Sequence, residues 1–186
     1  MDARSLLDAR PERTFDLARG RDGPQGRFAM SYPADQPARE PSFVAAANVP
    51  SLEIGVTTAR LVATGAATGG QFGLFRWDMT ATAGGASPHY HRTFSESFYM
   101  LEGTVSLYDG NSWRDARPGD FLHVPPTRFH AFRNESGEPA SMLILFAPGP
   151  PRETYFRELA ERIASGRRFA PEEQTEFLAR HDQYEA

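Results

Sequence analysis

The sequence predicts an all-β sandwich or barrel, on three observations. From Leu52 to Gly149, short runs of β-branched and aromatic residues alternate with Gly, Pro, Asn and Asp, a turn spacing of about 8–12 residues that marks such folds. Within the runs the apolar residues recur at every second position, as Phe75, Trp77 and Met79 do in 72–80 and Val105 and Leu107 do in 104–108, so that each set shares one face of a strand. The pair Asp109-Gly110 follows the second run directly, a strong tight-turn signal.

Residues 1–50 are rich in Arg, Asp, Pro, Gly and Ala and poor in bulky apolar side chains, which makes them weak core material. They read as an extended arm, with Phe28-Ala29-Met30 and Phe43-Val44 as short pieces able to dock on the domain or on a second subunit. The candidate strands are 59–64, 72–80, 96–101, 104–108, 112–116, 120–124, 130–133 and 140–147. The last, ASMLILFA, is apolar on both faces and needs a cover on one of them. Residues 152–165 are the expected cover, because Tyr155, Phe156, Leu159 and Ile163 recur at helical spacing. Pro171 opens a second expected helix over 171–181, with Phe177 and Leu178 apolar and His181 in solvent.

Composition removes several function classes. The 186-residue chain fits one domain with appendages. Its net charge of −4 argues against a general grip on nucleic acid or an anionic membrane. It has no cysteine, which excludes disulfides, thiolate nucleophiles and iron–sulfur clusters. All 20 basic residues are arginine, which reads as genomic codon bias. The first residues hold no apolar run of the kind a secretory signal needs, and no stretch approaches the roughly 20 apolar residues of a membrane helix. A cytoplasmic protein is expected.

Histidine is sparse, at five residues, and two of them fall in Pro88-His89-Tyr90-His91. On a strand, positions i and i+2 point the same way, so two imidazoles share a face, a common start for a metal site. Alone, the pair reads equally well as a polar strand end. Glu96 lies an odd number of residues on, so the chain must turn or bulge within 92–95 for Glu96 to face the pair from the next strand. Phe98 and Met100 then follow it inward, and Gly103 ends the strand. Downstream, Pro118-Gly119-Asp120 forms a turn, 121–124 a strand and Pro125-Pro126-Thr127-Arg128 a loop. His130 opens the strand that follows.

These two stretches resemble the two motifs of the cupin family. His89, His91, Glu96 and Gly103 match the first, and Gly119, Pro125, His130 and Asn134 the second. Two turn positions depart from the pattern, with Ala83 and Thr127 where glycines are expected. The resemblance implies a cupin double-stranded β-helix, a jelly-roll barrel over 51–149, with the extended arm 1–50 before it and a C-terminal helical segment over 150–186. It also implies that His89, His91, Glu96 and His130 hold one divalent transition metal per chain, one of Fe, Mn, Ni, Co, Cu or Zn. In an octahedral field four such ligands leave two adjacent positions open, which suits oxygenase chemistry.

Within cupins, the stretches 68–72 and 96–103 are most similar to quercetin (flavonol) dioxygenase-like single-domain proteins. That similarity implies a dioxygenase acting on an aromatic or enol-type small molecule, with Glu96 as the catalytic base and dioxygen as co-substrate. A carboxylate beside an apolar pocket is expected to have a raised pKa. Phe75, Trp77, Met79, Phe98, Met100 and Phe132 are the expected pocket lining, although small-barrel interiors are ordinarily filled by such side chains. A metal-dependent isomerase, cyclase or dehydratase, and a non-catalytic ligand binder, stay open as alternatives. The apolar pieces outside the barrel predict a homodimer, and no nucleic-acid or membrane partner is expected.

Overall fold

The structure, a computed structural model, describes residues 40–82 and 84–185. Most of the expected arm, with Phe28-Ala29-Met30, and the motif position Ala83 lie outside the described residues. Ser42–Ala186 make up one compact unit. Its strands are β1 (Ser51–Ile54), β2 (Thr57–Ala63), β3 (Gly73–Met79), β4 (Gly84–Tyr90), β5 (Ser95–Glu102), β6 (Val105–Tyr108), β7 (Trp113–Ala116), β8 (Phe121–Val124), β9 (His130–Asn134), β10 (Ala140–Ala147) and β11 (Tyr184–Glu185). The main helices are α1 (Gly65–Thr68), α2 (Arg152–Ala164) and α3 (Pro171–Arg180). None of them is long and apolar enough to cross a membrane.

The strands form two antiparallel sheets, one in the order β1-β2-β3-β10-β5-β8 and the other in the order β11-β4-β9-β6-β7. This is the two-sheet jelly-roll layout the sequence predicts. Period-two alternation directs the core: Phe75, Trp77 and Met79 of β3 are buried while the residues between them are not. Rings then meet between the sheets, Trp77 edge-on to Phe132 at 6.1 Å and Phe98 against Phe132 at 5.9 Å, an arrangement favoured by the ring quadrupoles.

Strands β1, β4 and β11 are absent from the candidate list. β1 and β11 are short, and β4 opens on Gly-Gly-Ala-Ser-Pro, a run with little intrinsic strand preference. Its pairing with β9 holds it in place. There the backbones approach so closely that a Cβ on Gly85 would lie 2.0 Å from the Phe132 carbonyl oxygen. Gly103 ends β5 at φ +70°, with its Cα facing the Pro139 carbonyl, so the motif glycine supplies both a left-handed turn and room for the neighbouring strand.

Helix α2 covers a different surface of β10 from the one expected. Phe156 packs on Phe75 at 5.2 Å and Trp77 at 5.1 Å, with Phe146 at 6.3 Å. All three of those rings belong to the inward face, so α2 caps the barrel interior and leaves Leu143 and Leu145 half-buried on the other side. Ile163 is exposed at the far end of the helix. His181 is not in solvent: its side chain is 10 % exposed and lies against the rings of Tyr155 and Phe177.

The departure at Thr127 has a stability consequence. Thr127 sits at φ +68°, a region that costs a β-branched residue roughly 1–2 kcal/mol. Its backbone N–H bonds the His91 carbonyl at 2.6 Å, so the loop holds this geometry. Thr127→Gly removes the strain and returns part of it as unfolded-chain entropy. The expected net gain is about 1 kcal/mol, or a Tm rise of roughly 2–4 °C by calorimetry; an unchanged or lower Tm refutes it.

Candidate metal centre

His89 lies near the end of β4 and His91 just beyond it, while His130 opens β9 and is the register partner of His89. The turn demanded by the odd spacing is Arg92-Thr93-Phe94, after which β5 begins at Ser95 and presents Glu96 inward. Phe94 is buried in that turn and stacks on the His91 ring at 4.2 Å. The four side chains come together in the interior at exposures of 3 % for His89, 2 % for His91, 4 % for Glu96 and 1 % for His130. One potential ligand atom from each lies within 4.8 Å of the others.

Each imidazole is oriented by a backbone carbonyl at Nδ1. His89 bonds Ser87 O at 2.7 Å, His91 bonds Asp182 O at 2.6 Å and His130 bonds Arg128 O at 3.1 Å. A carbonyl can only accept, so each ring donates from Nδ1 and leaves Nε2 for the cluster. The Nε2 atoms of His91 and His130 each lie 2.9 Å from the same Glu96 oxygen. Such a contact between two acceptors needs either a second proton on the imidazole or a shared cation. Three oriented imidazoles and one carboxylate, all buried, fit a first-row divalent ion.

The titration behaviour follows from the same contacts. Burial, helped by the neighbouring His130, pushes His89 down to about 3. For His130 burial acts the same way, but attraction to the Glu96 carboxylate and the hydrogen bond to it prevail and raise the pKa. Glu96 departs from the raised value expected of a carboxylate beside an apolar pocket. Burial does push it up, but His130 and His91 outweigh burial and hold it well below the ordinary range.

A pH dependence of stability follows for metal-free protein. A buried neutral His89 disfavours folding as pH falls below about 6.5, because the unfolded chain takes up the proton first; Glu96 adds to this below about 4.5. The stability contributed by protonated His130 is present below about 6.5 and is lost as pH rises through its raised folded value. Urea midpoints of chelator-treated protein are therefore expected to peak near neutrality. Metal-loaded protein should keep gaining stability above that pH, since the ion needs deprotonated ligands. Parallel curves for the two forms contradict this.

A cavity of about 280 Å³ opens onto the cluster at His89 and Glu96, walled by Trp77, Phe132, Phe156 and Arg152 among others. Of the six residues expected as lining, Trp77 and Phe132 border it. Phe75, Met79, Phe98 and Met100 are buried in the barrel packing and do not border it.

Three residues of the C-terminal segment have no counterpart in the sequence reading. Arg152 and Gln183 border the cavity. Asp182 supplies the carbonyl for His91, and its carboxylate accepts from Arg92 N, Thr93 N and Thr93 Oγ1 at 2.6–3.2 Å. The φ of +53° at Asp182 aims both groups back at the ligand loop. An Asp followed by a polar tail carries no local signal of this long-range role.

Comparison with known proteins gives a consistent picture. Residues 75–146 match the family described as Cupin domain. A stretch of 73 residues is 37 % identical to a quercetin 2,3-dioxygenase of Bacillus subtilis. That alignment takes in 39 % of this chain and 21 % of the relative, so the chain spans about a fifth of the curated protein it matches. Among solved structures, KdgF from Halomonas sp. superposes with a TM-score of 0.54 at 17 % identity, over 61 % of this chain and 99 % of that one. The polyketide cyclase RemF from Streptomyces resistomycificus does so at 0.52 and 20 % identity, over 60 % and 82 %. At these identities the structures speak to fold alone: the two-sheet barrel of this chain is a cupin fold, and its residues 75–146 are similar to the cupin domain.

Proposed function

We propose that this chain is a metal-dependent dioxygenase acting on an aromatic or enol-type small molecule. The observation that carries the reading is the buried three-imidazole, one-carboxylate cluster opening onto an aromatic-walled cavity. The partial similarity to a quercetin 2,3-dioxygenase supports it. His89, His91, Glu96 and His130 would hold one divalent first-row ion, which supplies polarisation of a substrate oxygen and, where redox-active, electrons for dioxygen.

The remaining work falls to the protein. Trp77 and Phe132 orient a flat ring by edge and face contact. Phe156 and the rest of α2 keep water off the buried cluster. Glu96 faces the cavity and accepts the proton of a substrate enol or hydroxyl. The burial that raises its basicity is opposed by His91 and His130, so proton uptake follows displacement of those contacts.

Oxygen-electrode assays of Fe-, Mn-, Co-, Ni- and Cu-loaded protein with flavonols, catechols and β-diketones are expected to show substrate-dependent uptake. No uptake with any of them overturns the reading, while turnover under argon or with zinc would assign the same residues to a non-redox reaction. The proposal extends to a homodimer, supported by Phe43 at 91 % and Phe121 at 64 % exposure; a clean monomer in sedimentation at micromolar concentration refutes that part.

A further inference from the structure

We propose that Arg152 anchors a carboxylate of the substrate, so that the cavity selects a flat, apolar acid. This rests on the cavity being the substrate site, and it is independent of whether the chemistry is redox.

Arg152 opens α2 and is 4 % exposed, yet it borders the cavity that also reaches His89 and Glu96. Burying a guanidinium is costly unless it is paired. Among the described residues Arg152 has no ion-pair partner within contact distance. Its Nη1 donates to His181 O and its Nη2 to Gln183 Oε1, each at 3.1 Å, and both acceptors are neutral. Its Nε is buried and bonds nothing. A guanidinium carries five N–H donors; beside these two bonds the Tyr155 side chain also acts on it, and the unpartnered Nε is among the donors left for a ligand.

The nearest compensation is aromatic. The guanidinium carbon lies 4.0 Å from the Tyr155 ring centroid and 5.2 Å from that of Phe146. These contacts stabilise a cation without saturating its edge donors. The carboxylates that act on it from farther off are Glu96 and Asp182, and both are committed elsewhere. Glu96 is bound to His91 and His130, and Asp182 to the 92–93 backbone. A divalent ion on the cluster would leave the cavity more positive still, since Glu96 is the cluster's one anion.

A buried planar fork with free donors, set in an aromatic wall, matches a carboxylate attached to a flat ring. A purely structural role, pinning the C-terminal segment through His181 and Gln183, needs two donors and no charge.

The test compares 2-naphthoate with 2-naphthamide, which share ring and size and differ in charge. Binding to zinc-loaded full-length protein is read by calorimetry. The acid is expected to bind about 10- to 100-fold more tightly than the amide, as a charge-assisted pair supplies. Arg152→Met, measured with zinc in excess so that loss of its bonds to His181 and Gln183 does not empty the cluster, should abolish that preference while leaving amide affinity within about twofold. Equal affinities in the wild type, no binding of either probe, or a preference that survives Arg152→Met each overturn the proposal; the last would place the carboxylate on the metal. If Arg152→Met does not fold by circular dichroism, Arg152→Lys decides. Its point charge lacks the fork, so the preference should fall several-fold, and an unchanged preference refutes the anchor. Because the readout is binding, failure of the dioxygenase reading leaves this result intact, and oxygen uptake without acid preference sinks the anchor alone.

Discussion

His130→Ala is expected to yield protein without transition metal, as is His91→Ala, where the wild type carries about one ion per chain after reloading. Each variant removes one of four buried donors whose atoms lie within 4.8 Å of one another, and the two imidazoles that remain are each held at Nδ1 by a backbone carbonyl, which does not let them close the gap. His130→Ala also strips the Glu96 carboxylate of one of its two contacts at 2.9 Å. Removing one member of a buried pair leaves an uncompensated charge and costs about 3–5 kcal/mol. His130→Gln separates the two effects, because its amide can still donate to Glu96 but is a poor ligand for the ion. It should be as metal-free as the alanine variant yet less destabilised. Elemental mass spectrometry and urea titration of the wild type and the three variants decide the matter. Metal retained in His130→Ala would remove that residue from the ligand set, and a wild type that takes up no metal would remove the site.

The candidate ligand set is legible in the sequence through its resemblance to the two cupin motifs, since the histidine pair alone reads equally well as a polar strand end. Two histidines two apart, a carboxylate across a turn and a third histidine after a proline loop carry that resemblance, and the structure brings the four side chains together. The strands themselves are legible where apolar and polar residues alternate, as in β3 and β6, or where an apolar run is continuous, as in β10. β4 is not, since Gly84, Gly85, Ser87 and Pro88 say nothing of a strand; it exists because β9 is there to pair with it.

Alternation tells which face of a strand points inward but not how far along the barrel a side chain sits. Hence Phe75, Met79, Phe98 and Met100 are inward and fill the core, whereas Trp77 and Phe132 reach the cavity. Arg152 is harder to find, being one arginine in a chain that uses no lysine. Its role depends on where α2 docks, which the helical spacing does not fix. The direction of the Glu96 shift fails for a similar reason: burial alone is readable from the pattern, while the two imidazoles that outweigh it depend on the closed geometry.

Deleting 182–186 should weaken metal affinity by about 10- to 100-fold, the usual cost of losing a partner that orients a ligand. Nothing in this segment belongs to the candidate ligand set, but Asp182 reaches back ninety-one positions to receive the His91 Nδ1 proton at 2.6 Å. The same residue clamps the turn between β4 and β5 through Arg92 N, Thr93 N and Thr93 Oγ1, bonds that contribute about 1 kcal/mol each. Beyond it, Tyr184 stacks on Tyr90 at 5.2 Å and lies under Arg92 at 3.9 Å, while Glu185 is the register partner of His89. The truncation thus frees one ring to rotate and opens the strand edge that carries another. Asp182→Asn is the informative contrast. Asn tolerates the left-handed backbone at φ +53°, keeps the carbonyl in place and still accepts from the 92–93 amides, so its metal affinity should stay within about threefold of wild type. Competition against a metallochromic chelator gives both constants directly. Affinity lost in the truncation and kept in Asp182→Asn assigns the orientation of His91 to the Asp182 carbonyl. Loss in both shifts the role to the carboxylate and the loop it holds, and loss in neither means that β4 and Phe94 alone set the ring.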